Sequence, residues 1–404
     1  MEGGSLNPIS LPDLRFDAGL QLSAFEPLLA IARETVPQAT AAEARKAVGL
    51  AAERLRLELV ENGNVVPIFL LLPPPGVTPR VTLLAAWHGE AMPVTPAAVA
   101  GAERLALAAG MAAVEAVAAA GALGPAGSPP EVAIVVVPGA TQGSLVLAEA
   151  LRANRARLQA PVAFWPRIAQ GLPRRRRVFL GARGRVVIGL WGDGANAWSI
   201  RDAVVRDLSE QAYGPRPLDF ELLRKLAQSA DALDFLEETI ADAAAVAGSG
   251  EERLKRALFE PLGQVARPAS PHPDRPNAWI TIETAEAMEP DDILARVRAL
   301  AGSARAELAE GFVWDRAGIH HPATQALIGM AKSRSDGPEI WPMAPWPTPS
   351  GLFTRALGTG LAEWAVGLPA ATMVRFPKPE AFEMVAREIA ELILRSTGGL
   401  AAIS

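Results

Sequence analysis

The chain contains no cysteine. Disulfide staples, thiolate nucleophiles and sulfur-ligated metal centres are therefore excluded. Histidine is scarce as well, with four copies, so a zinc site built from imidazoles would need most of them to converge. Positive charge is not in excess either. The formal net charge is −5, and no basic field exists to draw in nucleic acid or an anionic membrane. The one dense basic cluster, Arg174 to Arg177, reads either as a phosphate or acidic-ligand site or as a solvated loop entering a strand. The N-terminal MEGGSLNPIS has no basic region and no apolar core, so no secretion signal is read and a cytoplasmic protein is expected. One stretch needs weighing as a membrane span, LALAAGMAAVEAVAAAGALG at 105–124. Alanine dominates it and Glu115 interrupts it, which suits a helix buried against a sheet.

What is present is the makeup of a globular protein. Hydrophobic residues make up 50% and charged residues 21% of 404 positions, enough for two domains with a large core. Apolar spacing of three and four predicts helices from residue 22 to 60, with Gly63 as a stop. VVPIFLLLP, RVTLLAAW and EVAIVVVPG are short apolar runs bounded by Pro and Gly, the pattern of buried strands, and helices are read between and after them. Strand and helix alternation predicts an α/β domain with a mainly parallel sheet. Ligands in such sheets sit beyond the carboxyl ends of the strands, where His88 and Glu90 follow one run and Gly139–Ser144 another.

The pattern changes after the arginine cluster. RVFLGARGRVVIGLWG is strand-like, with Gly181 and Gly184 at an expected bend, and amphipathic helices follow. SADALDFLEETIADAAAVAGSGEERLKRALF reads as an extra helical insertion. NAWITIETAEA, PDDILARVRALAG and AELAEGFVWD then alternate strand, helix and strand, suggesting a ferredoxin-like α+β domain. The expected division is 1–177 and 317–404 for a main domain and 178–316 for a domain inserted in it.

The order of these motifs resembles the zinc exopeptidase family of carnosinase-type dipeptidases, aminoacylases, acetylornithine deacetylase and succinyl-diaminopimelate desuccinylase. In that family a strand ends in His-x-Asp before a proline, where this chain has LLAAWHGEAMP. A glycine opens an Ala/Leu-rich helix, as in AAGMAAVEAVAAAG. A strand then ends in two glutamates before Gly-Ser, where this chain has VVVPGATQGS. LGARGRVVIGLW stands at the opening of the lid, and HHPATQAL where the chain re-enters the main domain. The resemblance implies a zinc-exopeptidase-like main domain, an inserted lid and a homodimer formed through that lid.

It also implies two zinc ions held by histidines and carboxylates, with a glutamate as general base. Carried over by position, His88 stands at a ligand and Glu90 at the aspartate that orients it. The bridging carboxylate falls on Leu107–Ala109, the general base and next ligand on Ala140 and Thr141, a further carboxylate on Trp165 and the last histidine beside Arg375. Two substrate-touching lid positions fall on Trp198 and Glu283. So many replacements predict a lost metal site with no cofactor, zinc being the alternative. The expected protein is a divergent homologue that binds a small peptide-like or acylamino ligand, or acts beside a partner enzyme. A metal-independent amide-bond hydrolase or transferase using His88 and Glu90 stays open, as does a zinc amidohydrolase with an atypical site.

Other candidates come from the residues alone. Trp165 and Trp198 suit an apolar ligand pocket as well as the filling of a dismantled site, and Trp341 and Trp346 stand near a further site position. Thr141 is a nucleophile candidate if His88 reaches it. Arg167, Arg201 and Arg375 are each suited to holding a carboxylate bidentately.

Overall fold

The computed structural model of the chain describes residues 14–16, 21, 23–25, 41–63, 67–87, 97–125, 127–138, 145–170, 176–192, 196–211, 215–239, 248–268, 275–285, 288–334, 337–368 and 379–398. Helix α1 (Ala41–Leu55) is followed by β1 (Glu58–Asn62), β2 (Ile68–Leu72), β3 (Val81–Trp87), α2 (Ala97–Ala119) and β4 (Val132–Pro138). Next come α3 (Leu145–Ala153), the short α4 (Arg155–Leu158), β5 (Val162–Gln170), β6 (Arg177–Phe179) and β7 (Gly181–Trp191). Helices α5 (Ala197–Gln211), α6 (Pro217–Leu226), α7 (Ala230–Thr239) and α8 (Gly250–Phe259) lead to β8 (Leu262–Ala266) and β9 (Ala278–Thr284). The chain continues through α9 (Pro290–Ala301), β10 (Arg305–Phe312), β11 (Asp315–Arg316), α10 (Pro322–Arg334), β12 (Glu339–Trp341) and β13 (Ala344–Pro347). It closes with α11 (Ser350–Leu357), β14 (Leu361–Leu368) and α12 (Pro379–Thr397).

The first sheet has the order β1-β2-β4-β3-β5-β14. The pairs β3–β4, β3–β5 and β5–β14 are parallel, while β1–β2 and β2–β4 are antiparallel. Every residue of β2 is buried, as expected of a strand covered on both faces. One face packs on α1, α2, α10 and α12 through residues such as Val48, Leu107, Leu327 and Ile389. The other packs on α3 and α11 through Leu147, Leu151, Phe353 and Leu357. The alanine-rich α2 is thus a core helix. Ala108, Ala109, Ala112 and Ala113 let it lie close against its neighbours, and Glu115 reaches Arg54 at 2.9 Å. Among the described residues no helix is long and apolar enough to cross a membrane.

One local expectation is corrected. The helix does not run on to Gly63. It stops at Leu55, Arg56 turns the chain with φ 56°, and β1 pairs along its length with β2. A positive φ is uncommon outside glycine. Here the Arg56 side chain steadies the turn by donating to the carbonyls of Gly127 (2.5 Å) and Ser128 (2.9 Å). Gly181 and Gly184 lie within β7, which pairs with β11 and β13 over residues 181–183 and with β9 and β10 from Gly184 onward. They allow the return strand to cross closely: a Cβ on Gly184 would lie 2.5 Å from the Trp314 nitrogen, and one on Gly181 2.7 Å from the Asp315 carbonyl oxygen.

The second sheet has the order β10-β7-β9-β8, with every neighbouring pair antiparallel. Fourth, first, third and second in chain order is the ferredoxin-like arrangement. Helices α5 and α9 cover one face through Ile200, Val204, Ile293 and Val297. The strand β8 was absent from the expected set, and it completes the sheet. The insertion α6–α8 forms its own core with Trp341. Arg183 of β7, with no exposed surface, holds the end of α8 by donating to the carbonyls of Ala257 (2.9 Å), Leu258 (3.1 Å) and Glu260, and to that of Glu283 (3.2 Å). Burial pushes its guanidinium down to about 10, with Glu283 opposing the shift, so it carries its charge at neutral pH.

Candidate functional site

In an open α/β sheet the ligand crevice lies where the strand order reverses, beyond the carboxyl ends of the strands. Here β3 connects through α2 to β4 on one side, and β4 connects back to β5 on the other, so the reversal falls between β3 and β5. The two strands pair from Val81 and Val162 to Leu83 and Phe164, then part. Pro166 has no N–H with which to extend that ladder, while β5 stays paired to β14 along its whole length.

The gap between them is filled with hydrocarbon. Leu83, Leu84 and Ala85 of β3, Ile134, Pro166, and Leu107, Gly110 and Met111 of α2 line a small, partly open gap of about 10 Å³. That is about one water-sized sphere. Leu107, Ala108 and Ala109, where the sequence resemblance puts the bridging carboxylate, are 2%, 0% and 0% exposed. Trp165 is 2% exposed and belongs to the core formed with α3 and α11. It follows the last residue paired to β3 and so lies opposite Leu84, about 10 Å short of the end of β3 at Trp87 for a rise of ~3.3 Å per residue. Neither position supplies an oxygen or imidazole ligand from its side chain. Among the described residues no group of three or more His, Asp or Glu is placed to hold a metal ion. His88, Glu90, Thr141 and Arg375 lie outside the described residues.

Beside Trp165 the same side of the sheet carries a polar group that had not been read from the sequence. Glu363 of β14, the register partner of Trp165, accepts from Arg167 (2.9 Å) and from the Trp346 indole (2.9 Å). The Arg167 guanidinium lies 4.7 Å from the Trp165 ring and 5.8 Å from the Trp346 ring. Trp346 in turn meets Phe179 edge-on at 5.2 Å. A glutamate inside the otherwise apolar run LAEWAVGL was the available signal, because a buried carboxylate needs a cation or donors beside it.

Trp198 sits elsewhere, on α5 over the second sheet, 50% exposed with Arg201 stacked 5.0 Å from its ring. Among the described residues no ring contact joins it to Trp165. Glu283 is on β9, where burial pushes its carboxyl up while Arg183 and Arg185 pull it back in part. Of the arginine cluster, Arg174 and Arg175 lie outside the described residues; Arg176 is buried against Glu388 at 3.5 Å, and Arg177, at the start of β6, pairs with Glu339 at 3.2 Å. His321 is structural, its Nδ1 accepting from the Ala323 N–H (3.3 Å) at the start of α10.

A mainly parallel α/β sheet with a ferredoxin-like sheet inserted in its sequence is a known class of architecture among solved structures. The M20 family metallo-carboxypeptidase Sso-CP2 from Sulfolobus solfataricus matches over 95% of this chain and 100% of its own, with 14% identity and a TM-score of 0.67. Human carnosine dipeptidase 1 matches over 97% and 100%, with 11% identity and a TM-score of 0.64. The dipeptidase Dug1p from Saccharomyces cerevisiae matches over 94% and 97%, with 13% identity and a TM-score of 0.60. No protein-family model and no curated protein matches the sequence. The chain therefore has the fold of the M20 metallopeptidases over nearly its whole length, and at these identities it is the fold that is shared.

Proposed function

We propose that this chain is a divergent relative of the M20 metallopeptidases whose two-zinc machinery has been dismantled, and that it binds a small peptide-like or acylamino ligand, alone or beside a partner enzyme. The observation that carries the reading is apolar burial on both faces of the first sheet beside β3 and β5. Leu107, Ala108, Ala109 and Trp165 occupy positions where the resemblance calls for carboxylates, and all four are buried in hydrocarbon. An ionised carboxylate placed there without a metal or donors would cost several kcal/mol, on the order of 3 or more. Pairing of two copies through the ferredoxin-like sheet belongs to the same proposal. The test combines thermal-shift screening of dipeptides and N-acyl amino acids with a turnover assay on each compound that raises the melting temperature. Stabilisation without turnover is expected. Hydrolysis that stops on adding chelator contradicts the proposal, and hydrolysis that survives chelator and is lost in His88→Ala replaces it with a metal-independent enzyme.

A further inference from the structure

Three arginines were suited by sequence to holding a carboxylate, and the structure separates them. Arg375 lies outside the described residues. Arg201 is committed inside the second domain, donating to the Gly263 carbonyl (2.9 Å) and paired with Asp202 at 2.7 Å. Arg167 differs from both. Of the five N–H donors of a guanidinium, one reaches Glu363. The rest have no partner among the described residues and are not enclosed.

The group is also held rigidly. The indoles of Trp165 and Trp346 lie over the guanidinium, which confines it by cation–π contact. Glu363 anchors one corner, and its second oxygen is occupied by the Trp346 N–H. The side chain keeps 27% of its surface in solvent. With the Trp165 and Trp346 rings over the group, its N–H donors not taken by Glu363 are the ones left for an anion, and a planar guanidinium offers such donors in pairs suited to bidentate carboxylate recognition. The group stands three residues before the end of β5 at Gln170, next to the reversal of strand order.

We infer that the open edge of Arg167 receives the carboxylate of the small acylamino ligand. The inference rests on the ligand-binding reading proposed above and names the anchor within it. Glu363 already offsets part of the guanidinium charge, so the gain from a ligand carboxylate is moderate, on the order of tenfold in affinity. Glu363 also sets the direction of a second effect: with its charge removed, the same edge attracts an anion more strongly.

The experiment is calorimetric titration of the full chain with N-acetyl-L-leucine and with its neutral analogue N-acetyl-L-leucinamide. The wild-type protein is expected to bind the acid about tenfold more tightly than the amide, a preference that falls to about twofold or less in Arg167→Lys and rises in Glu363→Gln. Because the acid and amide are compared first on the wild-type protein, the result does not depend on either variant folding. Equal binding of acid and amide, or a preference that survives Arg167→Lys, overturns the assignment of Arg167 and leaves the ligand-binding reading standing. If neither probe binds at millimolar concentration, the reading and the anchor fail together.

Discussion

Gly110 offers the sharpest check on the packed crevice. It lies in the interior of α2, is buried, and a Cβ built on it would meet no heavy atom within 4 Å. The space belongs to the small gap of about 10 Å³ lined by Leu83, Leu107, Met111 and Pro166. Replacing glycine by alanine in a helix interior gains up to ~1 kcal/mol from propensity alone. Burying one methyl in an apolar gap adds roughly 0.8 kcal/mol when nothing has to move. Gly110→Ala is therefore expected to stabilise the protein by about 1–2 kcal/mol. At ~2.1 cal/mol/K of unfolding entropy per residue, that is a rise in Tm of about 1–3 °C for a chain of 404 residues. Urea denaturation and differential scanning calorimetry on the pair of proteins measure it directly. Destabilisation, or no change, would refute the reasoning, because it would mean that the small gap beside Gly110 is not empty apolar space.

Further expectations follow from the buried groups. Leu107→Asp, which restores a carboxylate at the bridging position, should lower stability by about 3 kcal/mol or more, with no recovery on adding zinc; recovery of the urea midpoint with zinc would show that a metal site is still assembled there. Arg183→Met leaves the carbonyls at the end of α8 without their donor and should cost about 3–5 kcal/mol, read by urea denaturation. Glu283 has its folded-state value raised above 4.5 by burial. Its contribution to stability is therefore fully present below pH 4.5 and is lost as pH rises through the folded value. The stability of wild type relative to Glu283→Gln, from urea midpoints, should fall from pH 4.5 toward neutrality; a constant or rising difference contradicts the assignment.

The strands that carry the fold were legible because burial on both faces writes itself as an apolar run. β2, β3 and β4 are each such a run with Pro or Gly close by. Two elements with one side in water were missed, although β9 and β10 were legible by their alternation. β8 is five residues of mixed polarity at a sheet edge, with no run to mark it. The residues of β1 continue the helical spacing of α1, but Arg56 turns the chain before them, and that turn is held by backbone bonds from Arg56 and Leu57 to the end of α1 and by the Arg56 side chain on Gly127 and Ser128. The crevice was legible in part. The apolar residues at 107–109 and Trp165 could be read directly, whereas the Arg167–Glu363–Trp346 group could not. Its members come from β5, β14 and β13, which only the fold brings together.

The most direct test of the dismantled site is metal stoichiometry. The full chain, purified without chelator, is analysed by plasma mass spectrometry, and again after incubation with zinc and desalting. Substoichiometric zinc in both preparations is predicted. Zinc near two equivalents per chain would contradict the dismantled site outright and return the protein to the metal-dependent hydrolases.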